Sequence, residues 1–267
     1  MIIDAHAHIA SWPSVSLCKK NLLSSMEKYH INYALVSHCD CSEFPSIEER
    51  YPIRKITQRA GLKECLDFAK RHPGKIGVLV WVNPHREELS PAFKRLIENN
   101  LKYIHGFKFH PFESKLQISD IKMKPYLDYI EKLGLPLLVH TAKDEYSSIT
   151  ELGKVAKEYP SISFIAAHLQ LCTDNKKEAM RVLKENPNVF ADTAWVKGKD
   201  TKKVLRDIGI DRMCFGTDNP IDGGETLQNP IYQEYFANAL RLAKKEKEHL
   251  MCSNALKIFH IDPKMIH

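Results

Sequence analysis

The feature that most constrains the fold of this chain is an alternation. Eight short apolar runs are separated by longer stretches with helical spacing. The runs start at Met1 (MIIDAHAHI), Ile31 (INYALVSHC), Lys75 (KIGVLVWVN), Lys102 (KYIHGFKFH), Leu135 (LPLLVHT), Ser161 (SISFIAAHL), Asn188 (NVFADTAW) and Arg212 (RMCFGTDNP). Their length and β-branched content predict eight buried strands. Between them, LCKKNLLSSMEKY, LKECLDFAKRH, PYLDYIEKLG, SSITELGKVAKEY, KKEAMRVLKEN and TKKVLRDIG have amphipathic helical spacing. Several of these end at Gly134, Pro160, Pro187 or Gly209, residues that close helices. Strands alternating with helices predict an α/β protein with a parallel sheet. Eight units within 267 residues predict a closed (β/α)8 TIM barrel, with a doubly wound open sheet as the competing architecture. No repeat and no Gly-, Pro- or Ser-rich linker interrupts the series, so one domain over residues 1–267 is expected.

Composition narrows the class. Apolar residues make up 43% and charged residues 27%, which excludes disordered and collagen-like chains. No apolar run approaches the ~20 residues that span a bilayer. The start, MIIDAHAHIA, lacks the basic and long apolar regions of a secretory signal, so a cytoplasmic location is expected. The net charge of +6 comes from lysines scattered over many segments, which read as solvated helix faces rather than a nucleic-acid footprint. Seven cysteines without a CxxC pair read as free thiols.

The polar residues that end the apolar runs carry the chemistry. In Asp4-Ala5-His6-Ala7-His8, residues two apart point to one face of a strand, so His6 and His8 project together. Two imidazoles held this way are an ordinary start to a divalent-metal site. His140 ends LPLLVHT, His168 ends SISFIAAHL and Asp218 lies near the end of RMCFGTDNP. In a barrel, the carboxyl ends of the strands form the catalytic face. On strand four, Gly106, Lys108 and His110 share a face. Softer candidates are Trp81 and Asn83 after strand three, Asp192 and Trp195 at strand seven, and His38 after strand two. Packing or capping is the competing account of each. The segment CDCSEFPSIEERYPIRKITQR, residues 39–59, follows strand two as a lid, a pocket wall or a plain surface excursion. The stretch QEYFANALRLA reads as the buried stripe of a helix. No role is assigned to His30, His72, His85, His249, His260 or His267.

This combination resembles the amidohydrolase superfamily of metal-dependent barrels. GFKFHP, LLVHT, AAHL and FGTDNP are most similar to the amidohydrolase-related branch that includes aminocarboxymuconate-semialdehyde decarboxylase. The closing SNALKIFHI is similar to that branch's last helix. The resemblance implies that His6, His8, His140 and Asp218 bind one divalent cation. Zinc suits imidazole-rich ligation, and manganese, iron or cobalt are alternatives. It implies a catalytic His168 beside the metal, or His168 as ligand of a second ion. A divalent cation lowers the pKa of bound water to roughly 7. Asp218 would accept the proton of that water and return it to the leaving group, while His168 polarises the scissile carbonyl. Lys108 would bind a substrate carboxylate or phosphate, be carboxylated to bridge two metals, or pair with Glu113. His110 would contact substrate or act as an acid.

The resulting expectation is a metal-dependent hydrolase of a small-molecule amide, lactone or ester. A non-oxidative decarboxylase of a small carboxylic acid is the rival on the same scaffold. A TatD-like metal-dependent nuclease also opens with HxH, but Lys108 stands where such enzymes usually carry a strand-four Glu, so no nucleic acid is expected. A barrel that binds a metal or metabolite without turnover is the non-enzymatic alternative. A homodimer is a family-level expectation.

Overall fold

The structure is a computed structural model that describes residues 1–44, 54–237 and 239–266. Eight strands form one sheet in chain order: β1 (Ile3–Ile9), β2 (Tyr33–His38), β3 (Ile76–Trp81), β4 (Ile104–Phe109), β5 (Leu137–Ala142), β6 (Phe164–Leu171), β7 (Val189–Asp192) and β8 (Met213–Cys214). Every adjacent pair is parallel. The eighth strand returns to the first. The Ala5 amide donates to Phe215 O at 2.9 Å, the His8 amide donates to Asn219 O at 2.8 Å, and Ala7 and Asn219 form a parallel bridge. The sheet thus closes as the (β/α)8 barrel that the alternation predicts. Among the described residues, no helix is long and apolar enough to cross a membrane.

Local chemistry sets the helix ends. Ser14, Thr57, Ser90 and Ser148 each cap a helix by accepting a backbone N–H at its first turn. Gly134, at φ +64°, closes helix Lys124–Leu133 in the left-handed conformation that glycine adopts without strain. One helical expectation is corrected. QEYFANALRLA is not one helix: helix Pro230–Phe236 stops at its start, and Arg241 turns left-handed at φ 48°. Its large apolar side chains nonetheless face inward, Tyr235 and Leu240 buried and Phe236 and Leu242 half-buried, so apolar spacing marked burial rather than continuous helix.

The strands divide two apolar layers. Outward residues such as Val36, Val78, Phe107, Val139 and Val189 pack against the helices. Inward residues at the amino ends of the strands make a second layer from Tyr33, Leu35, Leu79, Leu138, Ile165 and Cys214. Helix Asn254–Ile258, with Phe259 and Ile261, completes this layer. The barrel therefore has a dry floor, and the opposite rim is left for polar groups. Of residues 39–59, Cys39–Cys41 form a 3-10 turn and Gln58 begins a helix. The middle of the segment, 45–53, lies outside the described residues.

Candidate metal centre and catalytic cavity

At the carboxyl rim, β1, β7 and β8 bring their polar ends together. Nε2 of His6 and Nε2 of His8 lie 3.1 Å apart. Oδ1 of Asp218 approaches the His8 nitrogen to 2.7 Å and the His6 nitrogen to 3.3 Å. Each of the three is anchored through its other polar atom. Nδ1 of His6 donates to Oδ2 of Asp192 at 2.7 Å, Nδ1 of His8 meets the Ser37 hydroxyl at 2.9 Å, and the Trp195 indole donates to Oδ2 of Asp218 at 2.9 Å. Such outer partners fix ring orientation in metal sites.

Among the described residues, two groups of three side chains place their donor atoms within 4.8 Å of one another. These are His6, His8 and Asp218, and His6, His168 and Asp192, with His6 common to both. Two imidazole nitrogens and a carboxylate oxygen facing a common point form a donor set that fits a divalent cation.

The backbone serves this convergence. At Gly216 a Cβ would lie 2.9 Å from the His6 Cβ and 3.2 Å from that of Asp192, so only glycine lets β8 run so close to β1 and β7. Positive φ angles occur at His168 (67°), Leu169 (48°), Gln170 (64°), Trp195 (57°) and Asp218 (61°). Left-handed non-glycine residues are uncommon, and their concentration at three neighbouring strand ends marks stored strain of the kind found at functional sites. β1 and β5 also slip register, between Asp4 and Ala7 and between His140 and Ala142, which re-aims the rim side chains.

The remaining candidates sit around a cavity of about 170 Å³ lined by His8, Trp81, Lys108, His110, His140, His168 and Asp218, among others. The His140 ring stacks on His110 at 3.8 Å and meets His168 edge-on at 4.8 Å. His140 thus lies in the same cavity but in neither donor group. The Lys108 ammonium donates to Nε2 of His6 at 3.0 Å. The His168 backbone donates to Oδ1 of Asp192 at 2.9 Å, and its Nδ1 donates to Ala194 O at 3.2 Å. Trp81 lies parallel to His110 at 6.0 Å. Asn83 and His38 turn away from the cavity. The Asn83 amide donates to Glu87, and His38 meets Glu64. The wider 620 Å³ groove between helices Val15–Lys28 and Gln58–Arg71 borders neither donor group.

Burial sets the charge states. It depresses the His6, His110 and His140 imidazoles well below their usual range, with the Lys108 charge adding to the effect at His6 and His110. It also lowers His168 to about 4. These rings are neutral at pH 7, the form in which imidazole binds metal. Burial pushes Asp192 up to about 6. At Asp218 burial also pushes upward, but the pull of His6 and the hydrogen bond from His8 outweigh it and hold the carboxyl well below the usual range. Asp218 is therefore held as the carboxylate anion.

The sequence left Asp192 as a soft substrate contact; the structure makes it the partner of His6. Ser37 and Trp12 were not singled out at all; Trp12 lines the cavity together with Cys39, the first residue of the segment read as a lid, pocket wall or surface excursion. Period-two counting places Ser37 on the inward face of β2, but no local motif marks it.

Comparison with known proteins agrees with this architecture. The family model for amidohydrolases matches residues 3–261, and the chain belongs to that family. No curated protein matches it significantly. Among solved structures it is similar to a 5-carboxyvanillate decarboxylase from Novosphingobium aromaticivorans complexed with manganese and 4-hydroxy-3-methoxy-5-nitrobenzoic acid. That match has 13% identity and TM-score 0.68, covering 97% of this chain and 96% of that one. It is also similar to 2,6-dihydroxybenzoate decarboxylase from Rhizobium (14% identity, TM-score 0.70, 97% and 98% covered). A third likeness is to a probable 2-pyrone-4,6-dicarboxylic acid hydrolase from Acinetobacter baumannii with citric acid bound (14%, 0.67, 97% and 99%). Family and neighbours are enzymes, and the neighbours act by both decarboxylation and hydrolysis.

Proposed function

We propose that this protein is a metal-dependent hydrolase that cleaves an amide, lactone or ester bond in a compact small molecule. His6, His8 and Asp218, with His140 beside them, hold one divalent cation. Zinc suits the imidazole-rich set, and manganese, held by one fold neighbour, is the first alternative to load. When bound, such an ion supplies Lewis acidity toward a carbonyl oxygen and acidifies water.

The observation that carries the reading is the state of Asp218. Its carboxylate is held ionised, is pinned by Trp195 through Oδ2 and reaches the His8 nitrogen through Oδ1, at the edge of the cavity. An anionic carboxylate in that place accepts the proton of an attacking water. His168 is fixed by Asp192 and Ala194; with Nδ1 donating to Ala194 O, its neutral ring presents an accepting Nε2 to the cavity, where it takes a hydrogen bond from water or from a substrate N–H or O–H. Lys108 offers a buried ammonium to an anionic group of the substrate. The Trp81–His110–His140 stack gives a flat wall against which a planar compound packs. At about 170 Å³ the cavity is smaller than the ~300–1,000 Å³ of drug-sized sites, which favours a compact metabolite over a polynucleotide.

The second reading is a non-oxidative decarboxylase. It is favoured by fold neighbours that decarboxylate hydroxybenzoates. One experiment separates the two. Zinc- and manganese-loaded protein is offered a panel of lactones and esters and, in parallel, hydroxybenzoic acids, with acid release and carbon dioxide release both recorded. Hydrolysis that disappears in Asp218→Asn supports the first reading. Carbon dioxide release without hydrolysis establishes the second.

A further inference from the structure

The hydrolase reading takes its proton acceptor from the β8 side of the cavity and gives the β4 side only substrate contacts, from Lys108 and the His110 ring. That side holds a second carboxyl. Glu113 lies in the short turn Pro111–Ser114 directly after β4 and lines the same cavity as Asp218. In an eight-stranded barrel ordered β1 to β8, the fourth and eighth strands face each other across the axis. The two carboxyls therefore stand on opposite walls, with the substrate space between them.

The position of Glu113 is fixed by contacts outside the donor groups. Its amide donates to Nδ1 of His110 at 3.3 Å, and its carbonyl accepts from the Phe44 amide at 2.8 Å. The His110 ring is itself clamped between Trp81 and His140. Among the described residues, neither three-residue donor group includes Glu113, so it is not drawn into the candidate metal centre.

Resting on the hydrolase reading, we propose that Glu113 is the catalytic acid that protonates the leaving group, and that Asp218 keeps only the first half of the proton shuttle. The step balances. Asp218 takes a proton from water as the water oxygen bonds to the carbonyl carbon. The bond from that carbon to the leaving oxygen or nitrogen then breaks, and its electron pair takes the proton from the Glu113 carboxyl. Solvent returns a proton to Glu113 and removes one from Asp218, restoring both groups.

The charge states match this division. Burial raises Glu113 from the ordinary carboxyl range to about 7, where a proton donor at neutral pH is most useful. Carboxyls on opposite walls of one cavity, with Glu113 on the β4 side and Asp218 on the β8 side, allow a separate acid and base. The other ionisable groups facing this space are Lys108 and His110 from the β4 side, Cys39 after β2, His8 from β1, His140 from β5, His168 from β6 and Asp222 in the loop beyond Asp218.

Two measurements test the assignment. The first needs no substrate. In the zinc-loaded protein, the infrared difference spectrum between wild type and Glu113→Gln should contain a protonated carboxyl band that titrates near neutral pH. A band of ionised carboxylate down to pH 5 overturns the proposal. The second compares a 4-nitrophenyl ester, whose leaving group departs without protonation, with the ethyl ester of the same acid. Glu113→Gln should keep the nitrophenyl rate within a few-fold and lose about a hundredfold or more on the ethyl ester. Glu113→Asp should recover part of that loss, and metal per chain should be unchanged. Equal rates for variant and wild type on both esters, or equal losses on both, overturn the acid role while the hydrolase reading survives. A wild-type enzyme that cleaves neither ester overturns both.

Discussion

The two ends of this barrel are built on opposite rules. At the amino end, the inward residues are Tyr33, Leu35, Leu79, Leu138 and Ile165, sealed by Phe259 and Ile261. The few polar groups there are paired: Tyr33 meets His105 at 2.9 Å, and His105 donates to Phe259 O at 3.2 Å. At the carboxyl end, the same strands present His6, His8, Lys108, His140, His168, Asp192 and Asp218. Several of these rings are forced neutral by burial, and the backbone bends through left-handed residues at His168, Trp195 and Asp218. One end stabilises the barrel by removing apolar surface from water. The other concentrates buried polar groups, whose burial is costly unless they are paired, at the rim where the proposed cation and substrate would sit. The lesson is that the chemistry rests on a floor that is independent of it, so changes at one end should leave the other largely intact.

The sharpest way to break this contrast is Asp218→Asn. Turnover should fall about 10²–10⁴-fold, while the midpoint of thermal unfolding stays at or above that of the wild type; steady-state kinetics and calorimetry on the same sample check both. A variant that unfolds in step with its loss of rate would show that the rim also holds the barrel together. Next in size, Leu138→Ala in the floor should cost about 2–5 kcal/mol of unfolding free energy and leave metal per chain unchanged, as read by urea titration and elemental analysis. Asp192→Asn, which removes the acceptor for Nδ1 of His6, should weaken metal affinity about 10–100-fold; competition with a chromogenic chelator measures it. The smallest effect is expected for Tyr33→Phe, about 1 kcal/mol from the lost hydrogen bond to His105, with kinetic constants at wild-type values.

Much of this contrast was legible in the chain. Six of the eight apolar runs contain their strands, and β5 and β6 overrun theirs by one and two residues; the polar residues that close the runs fall at the rim because a parallel strand in a barrel ends on that face. His6 and His8 were readable as a pair because side chains two apart share a face. Lys108 and His110 followed by the same count, and both line the cavity. The continuous helix expected over QEYFANALRLA failed because apolar spacing reports which side chains are buried and says little about whether the backbone stays helical. The partner of His6 could not be read, since Asp192 is 186 residues away and nothing local in NVFADTAW marks its target. Glu113 was visible only as a counter-charge for Lys108, because its effect depends on the turn after β4 facing a carboxylate across the axis.

The amino-acid sequence by itself determined the architecture and the chemical alphabet of the rim. Periodicity and strand-end polarity are local properties, and a closed parallel barrel converts them into position. The tertiary structure alone decided which of those groups meet. Atoms must approach within about 3 Å to share a proton or a cation, and such distances arise only when strands far apart in the chain are brought side by side.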